Sequence, residues 1–226
     1  HMKYEILGGQ LPVVSVTLDK GEQMVTQSGG MCWMDDCFEM DTNTNGGIFK
    51  GLGRAFTGES FFMTTYTSQK DNGNIAFAST FAGKILPIYL NGTTFIAQKR
   101  AFLAAQPTVN IETCFTKKFS SGFFGGEGFI LQKFSGHGTA FLEIDGAVVE
   151  KVLAPGEVLK VDQGYVAGFE DTVSFSIDTI KGVKNVLFSG EGLFVATLTG
   201  PGKVYLQTMP VSQLANVLMS LMPQKG

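Results

Sequence analysis

A turn followed by an apolar run occurs three times in this chain. It reads Gly126-Glu127-Gly128-Phe129-Ile130, again Gly190-Glu191-Gly192-Leu193-Phe194, and, slightly altered, Gly58-Glu59-Ser60-Phe61-Phe62. Nothing else constrains the fold as much. A recurring unit too small to bury its own core must share one with its neighbours. Two further sets of glycines keep step with the three glutamates. Gly21, Gly92 and Gly156 mark an early turn, and Gly73, Gly138 and Gly202 a late one. From early turn to glutamate the separations are 38, 35 and 35 residues, and from glutamate to late turn 14, 11 and 11. The second and third units therefore match without a gap. The first carries two small insertions in polar stretches, where added residues are tolerated. The spacing predicts three units: 2–79, 80–151, and 152–226 with its tail.

The segments between the turns read as strands. Leu11 to Leu18 alternates, with Val14, Val16 and Leu18 on one face. Met24 to Met34 reads as two short strands broken at Gly29-Gly30, and Phe61 to Tyr66 and Ile75 to Ser79 as two more. Ile85 to Leu90 follows, then the hairpin signal Asn91-Gly92 and a strand from Phe95 to Ala105. Phe129 to Phe134 is expected to pair with Thr139 to Ile144 across Gly136-His137-Gly138. Asp145-Gly146 is expected to close a two-residue hairpin before Val148. With 29 glycines, 20 phenylalanines and only 16% charged residues, the chain belongs to an all-β class. The tail differs: Leu214, Val217, Leu218 and Leu221 recur at helical spacing between Pro210 and Pro223, and the pattern predicts a short helix with that face buried.

These residues carry a resemblance. Gly58-Glu59-Ser60-Phe61-Phe62, Leu153-Ala154-Pro155-Gly156-Glu157 with Val161-Asp162, and Tyr205-Leu206-Gln207-Thr208 before a short helix resemble the altered-inheritance-of-mitochondria family, whose function is unknown. The resemblance covers nearly the whole chain. It implies a TRAP-like fold, related to the tryptophan RNA-binding attenuation protein. Each chain would hold three short double-stranded β-helix or β-sandwich units, and three chains would form a ring of nine units. It also implies relatives in fungal mitochondria linked to inner-membrane organisation.

Chemistry-bearing residues are few. His1 before Met2 reads as a tag remnant, which leaves His137 as the one histidine. A β-helix metalloenzyme needs several imidazoles on one ion, so His137 reads as a turn residue. Cys32 and Cys37 have C-x4-C spacing with no second pair, which favours free thiols. Gly51-Leu52-Gly53-Arg54 precedes a Phe-rich strand rather than a helix, so it is no dinucleotide loop. Arg54 could still pair with Glu59. The symmetry-related Glu59, Glu127 and Glu191 could gather into a carboxylate cluster that binds a cation or ligand, or each could cap its own turn. The basic pairs Lys99-Arg100 and Lys117-Lys118 do not recur in all three units; the positions matching the first are Ser28-Gly29 and Gln163-Gly164. Nucleic-acid binding therefore does not transfer from the superfamily. Phe123-Phe124 suggests a subunit contact.

The expected function is a non-enzymatic, ring-forming structural or interaction protein without cofactor or metal. Its partners are other copies of itself and an unidentified protein or small molecule. The alternatives are a small-ligand module using clefts between units and, further off, a cupin-type enzyme. Three cysteines without framework spacing suit reduced thiols in a cytoplasm. No apolar run reaches the length of a membrane span, and no signal peptide is visible.

Overall fold

The computed structural model describes residues 2–27, 29–42, 63–118, 128–179 and 194–223. The strands of the first third are β1 (Lys3–Leu7), β2 (Val13–Leu18), β3 (Gln23–Gln27), β4 (Met31–Met34), β5 (Phe38–Asp41), β6 (Met63–Ser68) and β7 (Gly73–Ala78). The second third holds β8 (Gly83–Asn91), β9 (Phe95–Gln98), β10 (Phe102–Ala105), β11 (Val109–Lys117) and the long β12 (Phe129–Asp145). The last third holds β13 (Val148–Leu153), β14 (Val158–Asp162), β15 (Val166–Glu170), β16 (Ser174–Thr179), β17 (Phe194–Thr199) and β18 (Gly202–Gln207), then α1 (Val211–Leu221). The chain is all-β with one short C-terminal helix, and every strand pairing is antiparallel.

The strands stack as four layers. The first is β1-β2-β7-β4. The second is β8, the 137–145 half of β12, then β10, β3, β6 and β5. The third is β13, β18, β15, β9, the 129–136 half of β12, and β11. The fourth is β14-β17-β16. Three cores lie between them. Val14, Val16, Ile75 and Phe77 of the first layer meet Met24, Tyr66 and Phe141 of the second. Leu90, Phe102, Leu142 and Ile144 meet Phe95, Ile111 and Phe134. Phe129, Leu131, Phe169 and Val204 meet Ala196 and Leu198. Alternation along β12 serves two cores at once: Phe141 points to the first, Ala140 and Leu142 to the second.

One wiring scheme recurs in each third. The strand that follows the early landmark of one third crosses to a different layer instead of doubling back. So β2 pairs β7 while β3 pairs β6, and β4 pairs β7 while β5 pairs β6. In the second third β8 and β10 take the far half of β12, and β9 and β11 the near half. In the last third β13 and β15 pair β18, and β14 and β16 pair β17. Each third also carries a register shift at the corresponding place, around Cys32, Leu103 and Ala167.

This wiring corrects three expectations. Phe129–Phe134 and Thr139–Ile144 are not a hairpin but two halves of β12, which lie in different layers. Glycine permits the crossing: Gly136 and Gly138 sit at φ +94 and +139, and a Cβ on Gly138 would stand 2.7 Å from Thr108 Oγ1. Asn91-Gly92 and Asp145-Gly146 likewise turn the chain without closing hairpins, because β8 and β9, and β12 and β13, do not pair with each other. Phe95–Ala105 is two strands separated by a 3-10 turn at Lys99–Ala101. β1 adds a strand that the alternation did not announce.

The helix forms where its spacing says, but its packing is a correction. None of its side chains is buried, and Val217, Leu218 and Leu221 are exposed. None of its residues belongs to any of the three cores, whose members all lie on strands or the turns between them. Its tether is polar: the Asp145 carboxylate accepts the Val211 N–H at 2.9 Å.

Candidate functional site

Strands from adjacent thirds join edge to edge at two places inside the chain. At the first, β3 meets β10, with Val25 opposite Ala105 and Thr26 opposite Ala104. The Thr26 hydroxyl donates to the Leu103 carbonyl at 2.6 Å. At the second, β9 meets β15, with Phe95, Ile96 and Ala97 opposite Glu170, Phe169 and Gly168. The Gln98 amide donates to the Val166 carbonyl at 2.5 Å. The approach is close: a Cβ on Gly168 would lie 2.7 Å from the Ile96 carbonyl and from the Phe95 ring.

The corresponding edges at the two ends of the stack are open. By the wiring above, β4 stands where β10 and β15 stand, and β14 where β3 and β9 stand. Among the described residues β4 pairs only β7, and β14 pairs only β17. An open strand edge is a template for another strand. Its side chains are apolar for an exposed place: Met34 is 37% exposed, where its counterparts Ala105 and Phe169 are each 1% exposed. At the other open edge, β14, Lys160 Nζ reaches Thr197 Oγ1 at 2.7 Å and Asp178 Oδ2 at 4.0 Å. The same places in the joined strands hold Val25 and Ile96.

The cores are open at the same ends. Ile85, Leu103, Ala104 and Phe141 of the second layer close the first core. Their counterparts Val148, Ala167 and Tyr205 in the third layer close the second. The corresponding residues of the first layer are Val13, Cys32, Trp33 and Ala76, which point away from its core, and Trp33 is 47% exposed. At the other end, Val149 occupies the place of the fully buried Val14, yet is 40% exposed.

A second cluster joins the second third to the helix. Glu143 and Asp145 are two residues apart on β12 and both buried. Thr80 donates both its backbone N–H and its hydroxyl to Glu143 Oε1. Arg100 Nε lies 3.6 Å from Asp145 Oδ2. Burial pushes both carboxyls above their ordinary values, against the opposing pull of these hydrogen bonds and of Arg100. The pair fastens elements together.

Arg54, Glu59, Glu127 and Glu191 lie outside the described residues, as do Phe123 and Phe124. His137 is not at a hairpin tip: it lies exposed within β12, opposite Asn91. Cys32, Cys37 and Cys114 are free thiols. Burial pushes the Cys32 and Cys114 thiols upward, away from the reactive thiolate. Among the described residues no group of His, Cys, Asp and Glu has the arrangement of a metal site. Sequence reasoning missed Trp33. The signal was available, since Gly29 corresponds to Arg100 and Gly164, and four residues on stand Trp33, Ala104 and Gly168.

The family model described as mitochondrial biogenesis AIM24 matches residues 4–209, and its match ends just before α1. An uncharacterized protein of Streptococcus pyogenes serotype M6 is 26% identical over 222 residues, covering 95% of this chain and 88% of that protein. A crystal structure of a Streptococcus pyogenes protein from a structural-genomics programme covers 98% of this chain and 100% of its own. It superposes with a TM-score of 0.78 at 24% identity, a likeness of fold.

Proposed function

This chain belongs to the mitochondrial biogenesis AIM24 family, and we propose that it is a non-enzymatic assembly protein, built of three copies of one β-unit and closed by other copies of itself into a ring. One observation carries the reading. The edges that join successive units inside the chain, β3 to β10 and β9 to β15, remain open at its two ends, in β14 and β4. Pairing β14 of one copy with β4 of the next repeats a joint the chain already makes twice. It also places the outer face of the first layer over the uncovered Val149.

A head-to-tail contact either closes or grows without limit. Closure at three copies follows the TRAP-like pattern that the sequence resembles, and gives nine units in one ring. The three free cysteines suit a reducing compartment such as the cytoplasm. No helix of the described residues is long and apolar enough to cross a membrane. The ring would present α1 once per copy, a surface for a further partner. Sedimentation equilibrium tests the reading: we expect three times the 24.3 kDa chain mass. A mass of 24.3 kDa at every concentration would overturn it.

A further inference from the structure

We propose that Trp33 is the anchor by which one copy closes on the next, an inference that rests on the ring reading above. With β1 left aside, the third and last strands of each unit lie side by side, and one cross-strand pair there holds an aromatic ring beside a small residue. In the second unit the pair is Ala104 and Phe141, in the third Gly168 and Tyr205, and in the first Trp33 and Ala76. The ring sits on the last strand in two units and has moved to the third strand in the first. The exchange keeps one aromatic and one small side chain at the joint, so the volume filling that place is conserved.

The two internal rings cover the core of the unit before them. Phe141 is fully buried over Val14 and Phe77. Tyr205 packs on the second core, edge to face with Phe95 at 5.5 Å between centroids. Among the described residues no unit covers the outer face of the first layer, and Trp33 is the ring left in water. Among the described residues its indole N–H reaches Asn74 Oδ1, at 3.4 Å among exposed groups. The surface it fits is the open end of the third unit, where Val149 and Leu206 stand in the places of Val14 and Phe77. The occupant is therefore the third unit of a second copy. The residues beside Trp33 on the neighbouring strands, Ala76 and Ser15, are small, so the indole stands above them.

Trp33 is the chain's single tryptophan, so its emission reports this contact alone. On concentration through the assembly transition, emission should shift to the blue as the indole leaves water. Trp33→Ala should raise the concentration at which the assembly dissociates by about thirtyfold or more, the loss typical of a central aromatic anchor. Because Trp33 is half exposed, the isolated chain should keep its circular dichroism and melting curve. Adding Ala76→Phe to Trp33→Ala moves the ring to the last strand, as in the second unit, and should restore most of the lost association. Assembly that survives Trp33→Ala unchanged, or assembly with the indole still emitting as in water, overturns the anchor and leaves the ring standing. A wild-type chain that stays monomeric overturns the ring itself.

Discussion

The Asp145 carboxylate accepts the backbone N–H of Val211 at 2.9 Å, and this bond ties the start of α1 to the end of β12. An acidic side chain at the first turn of a helix satisfies an orphan N–H and meets the positive end of the helix dipole. Among the described residues no side chain of α1 belongs to a core, and this hydrogen bond is a polar tie between helix and β-layers.

The helix should therefore matter little to the stability of the isolated chain. Leu218→Asp is expected to change the unfolding free energy by less than about 0.5 kcal/mol, as surface changes do. Phe141→Ala should cost about 3–5 kcal/mol, because a fully buried ring over the first core is removed. Denaturant unfolding of the two variants side by side checks this contrast.

The acid side of the stability curve follows from Glu143 and Asp145. Their folded-state carboxyls titrate above the ordinary values of 4.5 and 3.8 because burial disfavours the charge. The folded chain thus holds these protons more tightly than the unfolded one. Each group disfavours the fold above its folded pKa, and the cost disappears as pH falls to the unfolded value. Wild type should lose stability relative to Glu143→Gln as pH rises from 4.5 through the folded pKa. Unfolding titrations at several pH values would show this, and a flat difference would remove Glu143 from the account.

Gln132 on β12 is fully buried, and among the described residues neither its amide oxygen nor its nitrogen has a hydrogen-bond partner. It stands opposite Ala97 on one side and Thr113 on the other. An unpartnered buried amide costs about 1–3 kcal/mol. Gln132→Met, close in shape, should raise the melting temperature. A lower one would mean that the amide is held by a group not seen among these contacts.

In the proposed ring, the register of the joint between copies follows that of the joints within the chain. Ala105 opposite Val25 and Phe169 opposite Ile96 place Met34 of one copy opposite Lys160 of the next. A Met34→Cys, Lys160→Cys double variant should therefore form disulfides between copies, since facing residues of antiparallel strands lie about 4.5–5.5 Å apart at Cα. Non-reducing gels should show a three-chain species, while Met34→Cys with Leu159→Cys, one residue out of register, should not.

Local chemistry determined where the chain turns. Gly21, Gly92 and Gly156 all take positive φ, at +86, +74 and +78, and the apolar runs between turns became strands. The helix ran from just after Pro210 to just before Pro223 for the same reason: proline limits its own neighbourhood whatever surrounds it. Destination was not local. Asn91-Gly92 and Asp145-Gly146 look like hairpin turns, but each sends the chain to another layer, because the partner is chosen by which apolar faces can be buried together. Burial of the helix face was undecided in the same way, since Leu218 and Leu221 have helical spacing whether or not a core remains to receive them. Trp33 shows the limit most directly. In sequence it is one aromatic beside two cysteines; only the pairing of Trp33 with Ala76, set against Ala104 with Phe141, reveals which surface it is shaped to close.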